Sequence, residues 1–193
     1  MGTDRMMKTT LVGLAFICVA GCVSSAQKEK IEISMPEDWT VISPAEPDTC
    51  ASIDGDYQIF GLGKQREGAP LEEMRLDAAL GYAFISNRSP DRLNIAVDKE
   101  ANTLNIQFGD PVNRVFSETI SCANGWYDFE KRMTDQYLGD GGYLDYLIRN
   151  VSLGKGSDGS LIVHLKLDGQ YSTFAIFKSR EVTESWSRYK VSE

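Results

Sequence analysis

Short segments in which apolar and polar residues alternate fill the second half of the chain, and they predict antiparallel β-hairpins. A turn determines which residues face one another across a hairpin. With a four-residue loop at 99–102, the first hairpin brings three apolar pairs onto one face: Val97 with Leu104, Ile95 with Ile106, and Leu93 with Phe108. This hairpin is therefore predicted to bury one of its faces.

The Asn124-Gly125 dipeptide predicts a second hairpin turn. The register that it sets pairs Cys122 with Tyr127, Ile120 with Phe129, and Phe116 with Met133. Glu118 then falls opposite Lys131, as a cross-strand ion pair. In this register Cys122 points towards the interior.

Asp168-Gly169 predicts a third turn. Its register pairs Leu165 with Ser172, Val163 with Phe174, and Leu161 with Ile176. The opposite face is mixed in polarity and contains His164 opposite Thr173, which is typical of a half-solvated face. Further strands are predicted at 143–153 and 186–191.

One helix is predicted before these hairpins, after a first strand at 55–62 that has Tyr57 and Ile59 on one face. Pro70 suits the first turn of a helix. An apolar stripe at helical spacing follows it: Leu71, Met74, Leu76, Ala79, Leu80 and Phe84. The whole pattern predicts a mainly β fold, an antiparallel meander of about 8–9 strands with one helix after the first strand, as a lipocalin-like barrel or a curved open sheet.

The first 21 residues have the composition of a secretory signal peptide. Arg5 and Lys8 precede an apolar run at 11–19 that is shorter than the roughly 20 residues of a membrane-spanning helix. The run ends in Val19-Ala20-Gly21-Cys22, which resembles the cleavage motif of bacterial lipoprotein precursors. That resemblance implies cleavage before Cys22, attachment of diacylglycerol to its thiol, and acylation, commonly with palmitate, of the new amine.

The resemblance also implies a location. Val23 stands where an Asp, in many Gram-negative lipoproteins, implies retention in the inner membrane, so the outer membrane is expected, with the domain facing the periplasm. Ser24-Ser25-Ala26 also resembles an ordinary signal-peptidase site, and cleavage after Ala26 would release a soluble protein. Lipidation at Cys22 is the favoured alternative of the two.

Three regions follow from this interpretation: a signal peptide at 1–21, an extended tether at 22–49 and an antiparallel β domain at 50–193. The tether is polar and contains Pro36, Pro44 and Pro47. Its apolar exceptions, Ile31, Ile33 and Trp39, form a short strand or pack onto the domain, or Trp39 contacts a partner. Packing is the favoured alternative.

The cysteines divide by position. Cys18 leaves with the signal peptide and Cys22 is the lipidation site, so Cys50 and Cys122 remain. In an oxidising compartment these two are expected to form a disulfide. A reactive thiol or a metal site would need histidine partners, and the chain contains a single histidine, His164.

Charge narrows the classes of partner. The formal net charge is −8, which disfavours binding to nucleic acid and electrostatic docking on anionic lipids, so the membrane is expected as a partner only through the N-terminal lipid. No pattern predicts a catalytic residue, a metal ligand or a cofactor. His164 lacks partners at recognisable spacing, and a surface or hydrogen-bonded histidine is the favoured interpretation.

Three hypotheses on function follow. The leading one is a lipid-anchored cell-envelope protein of non-enzymatic, binding or structural type, with another envelope protein or an apolar small molecule as ligand. The second is a periplasmic hydrolase that uses acidic residues with His164, which requires His164 and at least two carboxylates in one cleft. The third is an envelope assembly factor or inhibitor that docks a partner through an edge strand or through Trp39.

Overall fold

The computed structural model describes residues 32–42, 48–82, 92–108, 114–173 and 177–192. Eleven strands and one short helix lie in this part of the chain. In chain order they are β1 (Gly55–Gln58), β2 (Phe60–Lys64), β3 (Glu72–Arg75), α1 (Leu76–Ala79), β4 (Arg92–Asp98), β5 (Thr103–Phe108), β6 (Arg114–Thr119), β7 (Ser121–Ala123), β8 (Trp126–Gly139), β9 (Gly142–Lys155), β10 (Leu161–Thr173) and β11 (Phe177–Tyr189).

The strands form two antiparallel sheets. The smaller sheet has the order β1-β4-β5-β6, and the larger has the order β3-β2-β11-β10-β9-β8-β7. The mainly β, antiparallel prediction is confirmed. Of the two predicted alternatives, the described strands adopt open sheets, because the outer strands of each sheet do not pair with each other. No helix in these ranges is long and apolar enough to cross a membrane.

The core lies between the two sheets. Alternation along each strand points every second side chain inwards. The smaller sheet contributes Tyr57, Leu93, Ile95, Leu104 and Ile106, and the larger contributes Tyr127, Phe129, Val151, Leu153, Val163 and Leu165. Burial of this apolar surface, at about 25 cal/mol per Å², is the main stabilising contribution to the fold.

The first predicted hairpin is confirmed residue for residue. β4 pairs with β5 with Val97 opposite Leu104, Ile95 opposite Ile106, and Leu93 opposite Phe108. The turn and the apolar alternation favour the same register here. The apolar face of the hairpin is the one through which the smaller sheet packs on the larger one.

The second predicted hairpin is correct only next to its turn. Cys122 lies opposite Tyr127 as predicted. The extension to Ile120 with Phe129 and Phe116 with Met133 is wrong, because β6 pairs with β5 in the smaller sheet, where Phe116 faces Ile106.

Glu118 and Lys131 nevertheless form an ion pair, with a distance of 2.8 Å between Oε1 and Nζ. The two residues belong to different sheets, so this contact bridges the sandwich. The predicted cross-strand geometry is wrong, although the partners are correct.

The third predicted hairpin is wrong. Asp168 and Gly169 lie inside β10, which pairs along its whole length with β9 and with β11. Leu165 therefore faces Ser185. The predicted partners Phe174 and Ile176 lie outside the described residues. Thirteen consecutive pairs with β11 outweigh the turn preference of one dipeptide.

The cross-strand partners of His164 also differ from the prediction. It lies opposite Trp186 on one side and Ser152 on the other, so its predicted pairing with Thr173 is wrong.

The predicted helix is mostly wrong. α1 has four residues, and the preceding Glu72–Arg75 is a strand paired with β2. No side chain caps the start of α1, and the pairing of Met74 with Gly61 competes successfully with helix formation. The predicted first strand is divided at Ile59, where the chain passes from the smaller sheet to the larger one. Phe84 lies outside the described residues.

Residues 32–42, part of the predicted tether, lie against the larger sheet. Ile33 and Trp39 are only 5% and 2% exposed, so the packing alternative for them is confirmed. The Ile42 backbone N–H donates to the Lys155 carbonyl, and Val41 forms a bridge with Gly156. The signal peptide, Cys22 and Ile31 lie outside the described residues, so the lipidation site and the domain boundaries stay predictions.

Cys50 and Cys122 form a disulfide, as predicted, with a Cα–Cα distance of 6.0 Å. Cys122 lies in β7, and Cys50 precedes β1 by a few residues. The bond therefore ties the segment before β1 to β7, the strand at one end of the larger sheet.

Candidate functional site

A row of four side chains crosses the outer face of the larger sheet, opposite the core. Asp128, Ser152, His164 and Trp186 lie directly opposite one another on β8, β9, β10 and β11. Their strand neighbours Tyr127, Leu153 and Val163 are buried between the sheets. Alternation therefore places the four residues of the row on the outer face.

Trp126 joins this row because a glycine leaves room for its ring. Trp126 lies opposite Gly154. A Cβ atom at Gly154 would approach the Trp126 ring to 2.9 Å and Val41 to the same distance, which is closer than real contacts. The missing side chain lets the Trp126 indole lie across β9 towards Trp186.

The aromatic rings of the site contact one another in two geometries. His164 stacks on Trp186 with ring centroids 4.1 Å apart and an interplanar angle of 11°. Trp126 meets Trp186 edge to face, with centroids 5.8 Å apart and an angle of 66°. Such near-perpendicular pairs are a favourable arrangement of ring quadrupoles.

Around these rings lies a cleft of about 320 Å³. Its lining residues come from the end of β7, the turn before β8, and β8, β9, β10 and β11: Ala123, Asn124, Trp126, Asp128, Ser152, His164 and Trp186. A volume of this size is at the lower end of the range of small-molecule sites, roughly 300–1,000 Å³. We call this site the outer cleft.

The N-terminal segment holds one wall of the outer cleft in place. The Trp186 indole N–H donates to the Ile33 carbonyl at 2.7 Å. The Ile33 backbone N–H in turn donates to the Glu184 carboxylate at 3.3 Å. The guanidinium of Arg188 lies 5.0 Å above the ring of the buried Trp39. The segment 32–42 therefore positions Trp186 from outside the sheet.

His164 is held neutral at neutral pH. Burial lowers the pKa of His164, and Lys166 acts in the same direction, while Glu184, Asp128 and Glu32 oppose the shift. The Nε2 atom is buried, and no group in the described part of the chain forms a hydrogen bond with it. The ring therefore contributes a neutral aromatic surface, backed by nearby carboxylates.

Ser152, Asp128 and His164 do not form a catalytic relay. The Ser152 hydroxyl donates directly to the Asp128 carboxylate at 2.5 Å. In a serine hydrolase the histidine lies between the serine and the acid and is hydrogen-bonded to both. Here the serine lies between the other two residues in the row, and His164 Nε2 has no partner within the described ranges.

A second cleft of about 260 Å³ lies beside the disulfide at the end of the sandwich. Cys50 and Cys122 line it with Val97, Ile120, Tyr127 and the polar side chains of the 98–102 turn. Across the described ranges, no three His, Cys, Asp or Glu side chains are grouped in a way that could hold a metal ion.

The sequence prediction located one of these features and missed the main one. The structure brings Cys50 and Cys122 together as predicted. His164 was singled out only as a lone histidine, whereas the structure surrounds it with Trp126, Asp128 and Trp186. The predicted turn at Asp168-Gly169 gives His164 the wrong neighbour. Its actual neighbour, Trp186, follows from the pairing of β10 with β11.

Comparisons with protein-family models, with curated proteins and with solved structures found no match to this chain. The function proposed below therefore rests on the geometry of the chain's own residues.

Proposed function

We propose that this protein is a lipid-anchored cell-envelope binding module of non-enzymatic type, and that its outer cleft holds the positively charged nitrogen group of an organic ammonium ligand. The observation that carries the proposal is the corner between the Trp126 and Trp186 rings, with the Asp128 carboxylate in the same lining. Aromatic faces and a carboxylate together recognise ammonium groups.

The charges of the outer cleft favour the binding of a cation. Asp128 supplies negative charge, and the described lining residues include no Lys, no Arg and no charged histidine. The whole chain has a formal net charge of −8, which attracts cations over a longer range. An ammonium group buried against two indoles gains roughly 2 kcal/mol when it is desolvated.

The same residues support binding better than catalysis. A hydrolase would need a base in contact with its nucleophile or with a positioned water. The Ser152 hydroxyl already donates to Asp128, and His164 stacks on Trp186 instead of contacting either residue through a hydrogen bond. Of the lining residues that the structure describes, Asp128 alone is a carboxylate, whereas the hydrolase hypothesis requires two.

The location of the ligand follows from the proposed anchor. Ile33, which contacts Trp186, lies eleven residues after Cys22. At about 3.3–3.6 Å per residue, a fully extended linker spans at most about 40 Å. With Cys22 acylated, the outer cleft stays within that distance of the membrane surface. The disulfide agrees with an oxidising compartment such as the periplasm.

Titration of the full-length protein with choline, followed by tryptophan fluorescence, tests the ligand class. The matched probe is 3,3-dimethyl-1-butanol, which has the shape of choline without its charge. We expect a saturable change with choline and at least about tenfold weaker binding of the neutral alcohol, because the cation–π term is lost. Equal affinity for the two probes, or no saturable change with choline, would overturn the proposal.

A pair of variants assigns the binding to the outer cleft. Asp128→Asn removes the carboxylate of the cleft, whereas Glu130→Gln removes an exposed carboxylate two residues along the same strand and on the same face. We expect Asp128→Asn to weaken choline binding and Glu130→Gln to leave it unchanged. Equal effects of the two variants would instead assign the response to the general negative charge of the protein.

A further inference from the structure

A cluster of charged residues lies on the opposite face of the larger sheet, towards the smaller sheet. Lys131 on β8 and Arg149 on β9 are direct cross-strand partners on this face. Glu118 of β6 and Tyr82, which follows α1, approach them from the other side of the sandwich. Like charges directly opposite each other on a sheet are destabilising unless other groups compensate them.

The Glu118 carboxylate already has two partners. It accepts from Lys131 Nζ at 2.8 Å and from the Tyr82 hydroxyl. The Lys131 ammonium also lies 3.2 Å from the centroid of the Tyr82 ring. The opposite charges of Glu118 and Lys131 thus compensate each other beside the Tyr82 ring.

Arg149 carries the positive charge of the cluster that Glu118 does not compensate. Its Nε atom is buried and has no hydrogen-bond partner among the residues that the structure describes. Burial lowers the pKa of Arg149, and no carboxylate of the described residues contributes an opposing shift, which comes from Tyr171. Burial likewise lowers the pKa of Lys131, and Arg149 adds to that shift. A guanidinium in this position lacks the anion that normally accompanies it.

The side chains of Arg149 and Lys131 both pass close to Gly81. A Cβ atom at Gly81 would lie 3.0 Å from a terminal guanidinium nitrogen of Arg149 and 3.3 Å from Lys131 Cδ. Lys131 and Glu118 retain side-chain exposures of 22% and 19%, so the cluster reaches solvent.

We propose that Arg149 and Lys131 bind a small oxyanion, a carboxylate or a phosphate, between the two sheets. The planar guanidinium binds two oxygens of such an anion at once, and the ammonium adds a point charge beside it. The anion supplies the acceptor that Arg149 lacks and relieves its repulsion from Lys131. This site lies on the opposite face of the sheet from the outer cleft, so it is independent of the ammonium proposal.

Unfolding of the full-length protein by urea, in phosphate, in acetate and in chloride at constant ionic strength, tests the site. A ligand that binds only the folded state raises the unfolding midpoint in proportion to the logarithm of its concentration. We expect phosphate, acetate or both to raise the midpoint above that in chloride, and the comparison of the two identifies the preferred oxyanion. Equal midpoints in all three salts would overturn the proposal.

Three variants assign the effect to Arg149. Arg149→Met removes the unpaired charge, so we expect it to lose the response to the oxyanion and to unfold in chloride at a midpoint no lower than that of the wild type. Arg149→Lys keeps the charge without the fork and is expected to bind about tenfold more weakly. The control Arg132→Met changes an exposed arginine on the opposite face of β8 and keeps the full response.

An unchanged response in both Arg149 variants would overturn the assignment. A midpoint for Arg149→Met in chloride well below that of the wild type would also overturn the claim that the charge is uncompensated. Should Arg149→Met fail to fold, Arg149→Lys still decides the question through direct calorimetric titration with phosphate. Normal affinity of Arg149→Lys in that titration would contradict the guanidinium site.

Discussion

The imidazole ring of His164 lies flat on the indole of Trp186, with centroids 4.1 Å apart and planes 11° from parallel. The stacking uses one aromatic face of Trp186, while its indole N–H is bound by the Ile33 carbonyl. Trp186 is therefore fixed from two directions. A fixed ring loses little conformational entropy when a ligand binds, which is the condition for a preorganised site.

His164 makes the stability of the protein depend on pH in a defined window. Its folded-state pKa is lowered by burial, so the unfolded chain, with a histidine pKa of about 6.5, binds its proton more readily. The stability from neutral His164 is fully present above about pH 6.5 and decreases as the pH falls towards the lower folded-state value.

Urea midpoints at pH 7.5, 6.5 and 5.5 measure this effect, with His164→Phe as the comparison. Phenylalanine retains an aromatic ring against Trp186, and His164 is the chain's single histidine. We expect the wild type to lose more stability than the variant across this range. Parallel pH profiles for the two proteins would contradict the assignment. Carboxylates with a lowered pKa, such as Asp158, titrate below this window.

Gly154→Ala tests how the outer cleft is built. The new methyl group would meet the Trp126 ring and Val41, each at 2.9 Å. We expect a loss of stability of about 1–3 kcal/mol from overpacking, together with weaker choline binding because Trp126 is displaced. Urea unfolding and the fluorescence titration measure the two effects. Unchanged choline affinity in the folded variant would show that Trp126 need not cross β9.

The disulfide is expected to make a large contribution to stability. Cys50 and Cys122 are separated by 72 residues along the chain. Closing a loop of this length stabilises the fold by about 4 kcal/mol on the loop-entropy model. The double variant Cys50→Ala/Cys122→Ala should unfold at a much lower urea concentration than the oxidised wild type, and reductant should affect only the wild type. Insensitivity of the wild type to reductant would contradict this.

Lipidation is tested by Cys22→Ser. We expect the wild type to incorporate labelled palmitate and to sediment with membranes, and the variant to do neither. Mass spectrometry of the mature N-terminus separates the alternatives, because an acylated Cys22 and a free chain cleaved after Ala26 differ in mass. Recovery of the cleaved, unacylated chain from wild-type cells would contradict the anchor and leave the outer cleft untethered.

Local signals predict one of the three hairpins in full. The β4–β5 hairpin was predicted residue for residue because its turn and its apolar pairs lie within 17 residues, 92–108. Two arguments together predict the disulfide: the oxidising compartment, and the direction of Cys122 towards the interior in its hairpin. The helix prediction is mostly wrong, because an apolar stripe at 71–84 is consistent with more than one structure, and residues 72–75 pair with β2 as a strand.

The outer cleft depends on pairings between strands that are distant in sequence. Trp126 and Trp186 are sixty residues apart, and four strands must be in register before they meet. No residue pattern within one strand shows this. The position of Gly154 opposite Trp126 is the signal that sequence reasoning could have used, but only after the β8–β9 pairing was known.

The most direct measurement of the central claim is the response of the three tryptophan indole N–H signals to choline in two-dimensional NMR spectra, with each signal assigned by a Trp→Phe variant. Trp126 and Trp186 line the outer cleft, whereas Trp39 is buried beneath Arg188. We predict that the signals of Trp126 and Trp186 shift saturably and that the Trp39 signal stays in place. Indole signals that all stay in place, or that shift equally for all three residues, would contradict an ammonium site in the outer cleft.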